Sequence, residues 1–194
     1  MINKFTHLHS RRAQAGATLI EVLVSLLILM LGLLGLVGVM IQSQRGQVES
    51  YQRVQALLLV QDMAARLNAN KAVSGCYVMA SFLGTNSTTV PATTACTVGT
   101  AAQQSRVTSD LTEWRDLLLG SAELSGTDKV GAVLGARGCI TKSATDLYQL
   151  SVAWQGSGAT AAPPAGVTCG QGQYGPDDAA RRAVSVTVQL GNLS

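Results

Sequence analysis

The sequence predicts an α+β fold: a long N-terminal helix, membrane-spanning in its first half, packed on a small antiparallel β-sheet head with an additional short helix. Three observations carry that expectation. The apolar excess behind a mean hydropathy of +0.25 is concentrated between Ala17 and Ile41. Apolar residues then continue at spacings of three and four as far as Leu67, the period of one helix face. Further on, short runs alternate apolar with polar residues, between segments rich in Gly, Ser, Thr and Ala. A length of 194 residues allows one ordinary domain plus an appendage.

The first element is a leader, MINKFTHLHSRRAQAG, over residues 1–16. It is basic and has no apolar core. A secretory signal places its small-residue cleavage site after the apolar region. Here Ala15-Gly16 precede it, so a cut after Gly16 leaves the apolar segment in the mature chain. Such a cut removes Lys4, Arg11 and Arg12 and takes the net charge of +3 to zero. The pI of about 8.8 therefore says little about an anionic partner, and nucleic acid gains no support. Both histidines, His7 and His9, also lie in the leader. The mature chain then lacks the usual general base and metal ligand, which excludes Ser-His, Cys-His and His-based zinc chemistry. The pair Arg181-Arg182 follows Asp177-Asp178 and reads as part of a solvated turn rather than a phosphate site.

The second element, ATLIEVLVSLLILMLGLLGLVGVMI, covers residues 17–41. As a helix it is about 37 Å long, enough to cross a bilayer with some tilt. The clustered positive charges of the leader favour a cytoplasmic N-terminus. Glu21 is the one charge in the segment. A carboxylate there costs a few kcal/mol on insertion scales, so it wants a partner. The new α-amino group of Ala17, four residues away, is the nearest; an interfacial carboxylate that snorkels is the plain alternative. Gly32, Gly35 and Gly38 permit close helix contact and also weaken the helix.

The run Gly16-Ala17-Thr18-Leu19-Ile20-Glu21-Val22, behind a short basic leader and ahead of an apolar helix, resembles the class III signal of type IV prepilins and type II secretion pseudopilins. Ala17 stands where the family most often has Phe. The resemblance implies that a prepilin peptidase cuts after Gly16 and N-methylates Ala17. It also implies that Glu21 pairs with an N-terminal amine in the growing fibre and aids docking.

The third element, residues 42–70, extends the same helix. Val54, Leu57, Leu58, Val60, Ala64 and Leu67 form an amphipathic stripe, with Arg53, Gln55, Gln61, Asp62 and Arg66 between them. The family resemblance agrees, since the second half of a pilin helix packs on the head. The head itself is residues 71–194. A break is expected over 68–75 and a surface loop over 84–105. Ser109 is expected to start a short helix, with Asp110 and Glu113 at capping-box spacing, Leu111, Trp114 and Leu118 on one face, and Gly120 at its end. Ile140 opens a strand. Tyr148, Leu150, Val152 and Trp154 alternate along a second, and Val184, Val186, Val188 and Leu190 along a third. A loop over 156–175 holds Pro163-Pro164.

Four cysteines stand at Cys76, Cys96, Cys139 and Cys169. Without a CxxC they support no four-thiolate zinc site, and no metal or cofactor is expected. An even count fits disulfides in an oxidising periplasm. Three connectivities are possible. The sequential one, Cys76–Cys96 and Cys139–Cys169, is favoured because each pair brackets a loop-like segment.

The head segments SDLTEWRDLL, GCI, YQLSVAWQG and RRAVSVTV resemble minor pilins of the PilV type. That resemblance implies a low-copy structural subunit, not an enzyme. Its partners would be other minor pilins, the major pilin and a tip adhesin, with inner-membrane lipid before assembly and the pilus tip afterwards. A minor pseudopilin of type II secretion is the alternative, because one N-terminal motif serves both.

Overall fold

The computed structural model describes residues 16–87, 90, 96–129 and 131–191. The rest of the expected leader, residues 1–15, lies outside them. The chain divides into two compact units between Gln44 and Arg45, and helix α1 (Leu19–Ala69) contributes to both.

In the first unit α1 is apolar on every side, and all its large apolar residues from Leu19 to Ile41 are exposed. It is the one described helix long and apolar enough to cross a membrane.

The second unit is the α+β head. The last turns of α1 bury Ala56, Val60, Met63 and Leu67 against it, residues four, three and four apart. This corrects the expected stripe. Val54 and Leu58 remain 53% and 59% exposed, and Leu57 and Ala64 are only partly covered. The inward line is centred on small Ala56 and flexible Met63, so hydrophobicity alone misplaces it by part of a turn.

A 3-10 segment, Lys71–Tyr77, follows the break. After β1 (Leu83–Gly84) comes α2 (Ala101–Leu118). Its start is eight residues earlier than Ser109. Thr100 is the true cap: its Oγ1 accepts from the Gln103 N–H at 3.3 Å, and the Thr100 N–H donates to Gln103 Oε1 at 2.8 Å. The expected 84–105 loop therefore ends in helix. Leu111, Trp114 and Leu118 share the buried face, and Gly120 ends the helix region at φ +91°, where an added Cβ would lie 2.5 Å from the Ala132 nitrogen.

A two-residue hairpin, β2 (Leu124–Ser125) with β3 (Asp128–Lys129), leads to the main sheet strands: β4 (Arg137–Ala144), β5 (Leu147–Gln155) and β6 (Arg181–Gln189). The sheet is antiparallel in the order β1-β4-β5-β6. Ile140 lies in the middle of β4, not at its start. In β4, Gly138 lets the Trp114 ring approach into the space a Cβ would occupy. Strand β5 alternates only at first; Leu150–Trp154 are all buried. Its second face is covered by Cys169 and Tyr174, because the 156–175 segment folds back over Ala153.

Candidate functional site

The described N-terminus begins with Gly16, Ala17 and Thr18 outside the helix. Thr18 closes the start of α1. Its carbonyl accepts from the Glu21 and Val22 N–H groups at 3.0 and 3.3 Å, and its Oγ1 accepts from the Glu21 N–H at 3.3 Å. The Thr-x-x-Glu spacing of Thr18 and Glu21 is a capping signal as well as the position of the segment's one charge. The Gly16–Ala17 bond is thus held in non-helical backbone, one residue ahead of the cap. Glu21 is exposed one turn after Ala17, and among the described residues its carboxylate enters no ion pair. Ser25 Oγ donates to the Glu21 carbonyl at 2.7 Å, which leaves the carboxylate untouched. Gly32, Gly35 and Gly38 have open space where a Cβ would stand. This half of α1 offers an apolar surface with one acid near its tip.

Among the described residues no group of three His, Cys, Asp or Glu side chains gathers around a point. The cysteines join in sequence order, Cys76 to Cys96 and Cys139 to Cys169, with Cα separations of 5.2 and 5.7 Å. The first ties the 3-10 segment to the approach of α2. The second ties β4 to the folded-back segment.

Charged residues in the head are used to join elements. Asp110, expected as a cap, is buried in the middle of α2. It accepts from the Tyr77 hydroxyl at 2.6 Å and pairs with Arg66 at 3.2 Å and Arg106 at 3.0 Å. Burial and the Asp110 carboxylate push the Tyr77 hydroxyl well above its usual range. Arg66 also reaches Asp62 at 2.8 Å and Glu113 at 2.6 Å, and it holds the Glu113 carboxyl below the usual range.

The Arg181-Arg182 pair is not a solvated turn. Arg181 is 3% exposed, pairs with Asp178 at 3.1 Å and donates to the carbonyls of Val167 and Cys169. Arg182 pairs with Glu49 of α1, and its hydrogen bond lowers the Glu49 carboxyl below its ordinary value. Arg137 is buried between the rings of Tyr174 and Phe82, 4.7 and 5.1 Å from their centres.

Residues 11–37 match the family model of the prokaryotic N-terminal methylation motif. The chain carries a type IV prepilin-like N-terminus. Proteins with this motif are generally structural, are processed by prepilin peptidase and assemble with other pilins. The motif and the apolar helix together support membrane anchoring and pilus-type assembly, and they serve pilins and pseudopilins alike. No curated protein and no solved structure matches the chain.

Proposed function

We propose that the chain is a minor type IV pilin of the PilV type, a subunit of the tip or priming complex that starts pilus assembly with other minor pilins and helps present a tip adhesin. The observation that carries this reading is the order of the N-terminus. A non-helical Gly16-Ala17 junction is followed by a capped helix, an exposed Glu21 and an apolar surface that no described residue covers. Residues 1–16 are the discarded leader. Residues 17–41 anchor the subunit in the inner membrane with the head, 71–194, in the periplasm, and residues 42–70 join the two. On extraction from that lipid, the same apolar surface meets neighbouring helices, and Glu21 faces an N-terminal amine there. The two disulfides fit an oxidising compartment.

Intact-mass measurement on membrane-extracted protein tests the processing step. The chain is expected to begin at Ala17 and to carry one added methyl group; any other N-terminus overturns the step. A bulky side chain in place of Gly16 is expected to block it. Crosslinking with mass spectrometry on sheared pili tests the assembly role. Contacts with minor pilins support it, whereas contacts only with secretion-system pseudopilins favour the alternative.

A further inference from the structure

The two edges of the head sheet are built differently. One is β1, two residues long. The other is β6, nine residues long and paired with β5 alone. The bonds from Leu190 N–H to the Asp146 carbonyl and from Gly156 N–H to the Ala180 carbonyl fix which main-chain groups face β5. Antiparallel alternation between them turns Arg182, Val184, Val186 and Val188 toward β5. Ala183, Ser185, Thr187 and Gln189 therefore aim their N–H and C=O groups away from it. Among the described residues nothing bonds to those four outward pairs.

The beginning of the edge is closed. Thr160 N–H donates to the Ala179 carbonyl, and Arg182 donates to the Arg181 carbonyl. From Ala183 onward the usual deterrents are missing. Natural sheets guard an exposed edge with Lys, Pro, a bulge or a short strand. The stretch Ala183–Gln189 reads AVSVTVQ, without charge or proline, and its register with β5 is unbroken. Both nearby arginines are committed to Asp178 and Glu49. Val184 is buried on the core face, but Val186 and Val188 are only partly covered, while Ser185, Thr187 and Gln189 are exposed.

A row of free N–H and C=O groups has one complementary ligand, another extended backbone. We propose that the open edge of β6, Ala183–Gln189, accepts a strand from a different subunit, so that the head sheet continues into a partner. The partner strand alternates apolar with small uncharged residues, and its apolar side chains extend the cover over Val186 and Val188. A second copy fits poorly. Antiparallel β6–β6 pairing has its two-fold axis normal to the sheet, which reverses every in-plane direction. Helix α1 runs alongside β6, from Glu49 at Arg182 to Lys71, just past the helix end, at Gly191, so the Arg45 ends of the two copies would then point opposite ways, although both chains enter one membrane. This inference rests on the assembly-subunit reading.

Residue-resolved amide hydrogen exchange on the full chain tests it, first in detergent alone, then in sheared pili or in the complex recovered from membranes. The amides of Ser185, Thr187 and Gln189 are expected to exchange fast in the free chain and about tenfold or more slower in the assembly. Those of Val184, Val186 and Val188 should be protected in both. Odd-numbered amides that stay open in an assembly containing the chain overturn the edge and leave the assembly role standing. A chain found in no fibre and no complex overturns both. Thr187→Pro removes one outward donor without touching the β5 ladder. It is expected to lower partner recovery about tenfold while both disulfides and the processed N-terminus persist. Unchanged recovery overturns the proposal, as does a crosslink joining two copies of the β6 peptide.

Discussion

Glu21 and Glu49 are two acids of one helix with opposite surroundings. Glu21 stands exposed among apolar residues and, among the described residues, in no ion pair, whereas Glu49 is held by Arg182 and Ser157. Glu21→Ala should leave membrane insertion, cleavage and both disulfides intact while reducing incorporation into pili. Immunoblots of sheared pili against whole membranes measure this, and equal incorporation would show a merely tolerated carboxylate. Glu49 behaves differently. Its carboxyl titrates lower in the folded chain than in the unfolded one, so the folded state gains stability above the unfolded value of 4.5. That gain disappears as pH falls through the lowered folded value. Arg182→Gln should therefore lower the melting temperature at pH 7 and flatten its acid dependence as pH falls below 4.5. Parallel thermal melts of the two chains across that range check it. A difference that stays constant with pH would mean that Arg182 acts through packing. Glu21 stands out in the sequence because its setting is local, one acid in an apolar run. The Glu49–Arg182 pair does not, since 133 residues separate the partners. No short-range pattern encodes such a pair.

Legibility at the level of elements follows the same physics. Strands β5 and β6 announced themselves by alternation. The end of α2 announced itself by Gly120. Its beginning did not, because Thr, Ser, Ala and Gln around residue 100 have a loop-like composition, and composition hid a Thr-x-x-Gln cap. The inward line of α1 was likewise misplaced, since partner shape chose Ala56 and Met63 over larger residues nearby. Thr100 now yields an expectation of its own. It satisfies an otherwise orphaned donor at the start of α2, so Thr100→Ala should destabilise the head by about 0.5–2 kcal/mol, with Thr100→Ser closer to the parent. Denaturant unfolding measures the difference. A midpoint that does not move would show that packing of Leu111 and Trp114 alone fixes the helix start.

For the whole molecule, the disulfides set the limits of what can come apart. They close segments of 20 and 30 residues. Removing either is expected to cost about 2–4 kcal/mol, with the larger loss of order on the side of the sheet that the 156–175 segment covers when Cys139 and Cys169 become Ser. Non-reducing peptide maps should recover the two sequential pairs, and protease sensitivity confined to residues 156–180 in the Cys139→Ser/Cys169→Ser chain would localise the effect. Loss of all resistance in that chain would instead make this bond a requirement for folding. Trp114 adds a consequence of another kind. Its indole is fully buried on α2, and its Nε1–H donates at 2.9 Å to the Leu59 carbonyl of α1. The polar end of the chromophore is therefore fastened to the helix that joins the head to the rest of the chain. Peeling α1 from the head would break that bond and wet the ring, so the protein carries a built-in optical gauge of helix docking. In a Trp154→Phe chain, which leaves Trp114 as its one indole, red-shifted, quenchable emission would mark a loosened helix, and blue emission an intact one, without any added label.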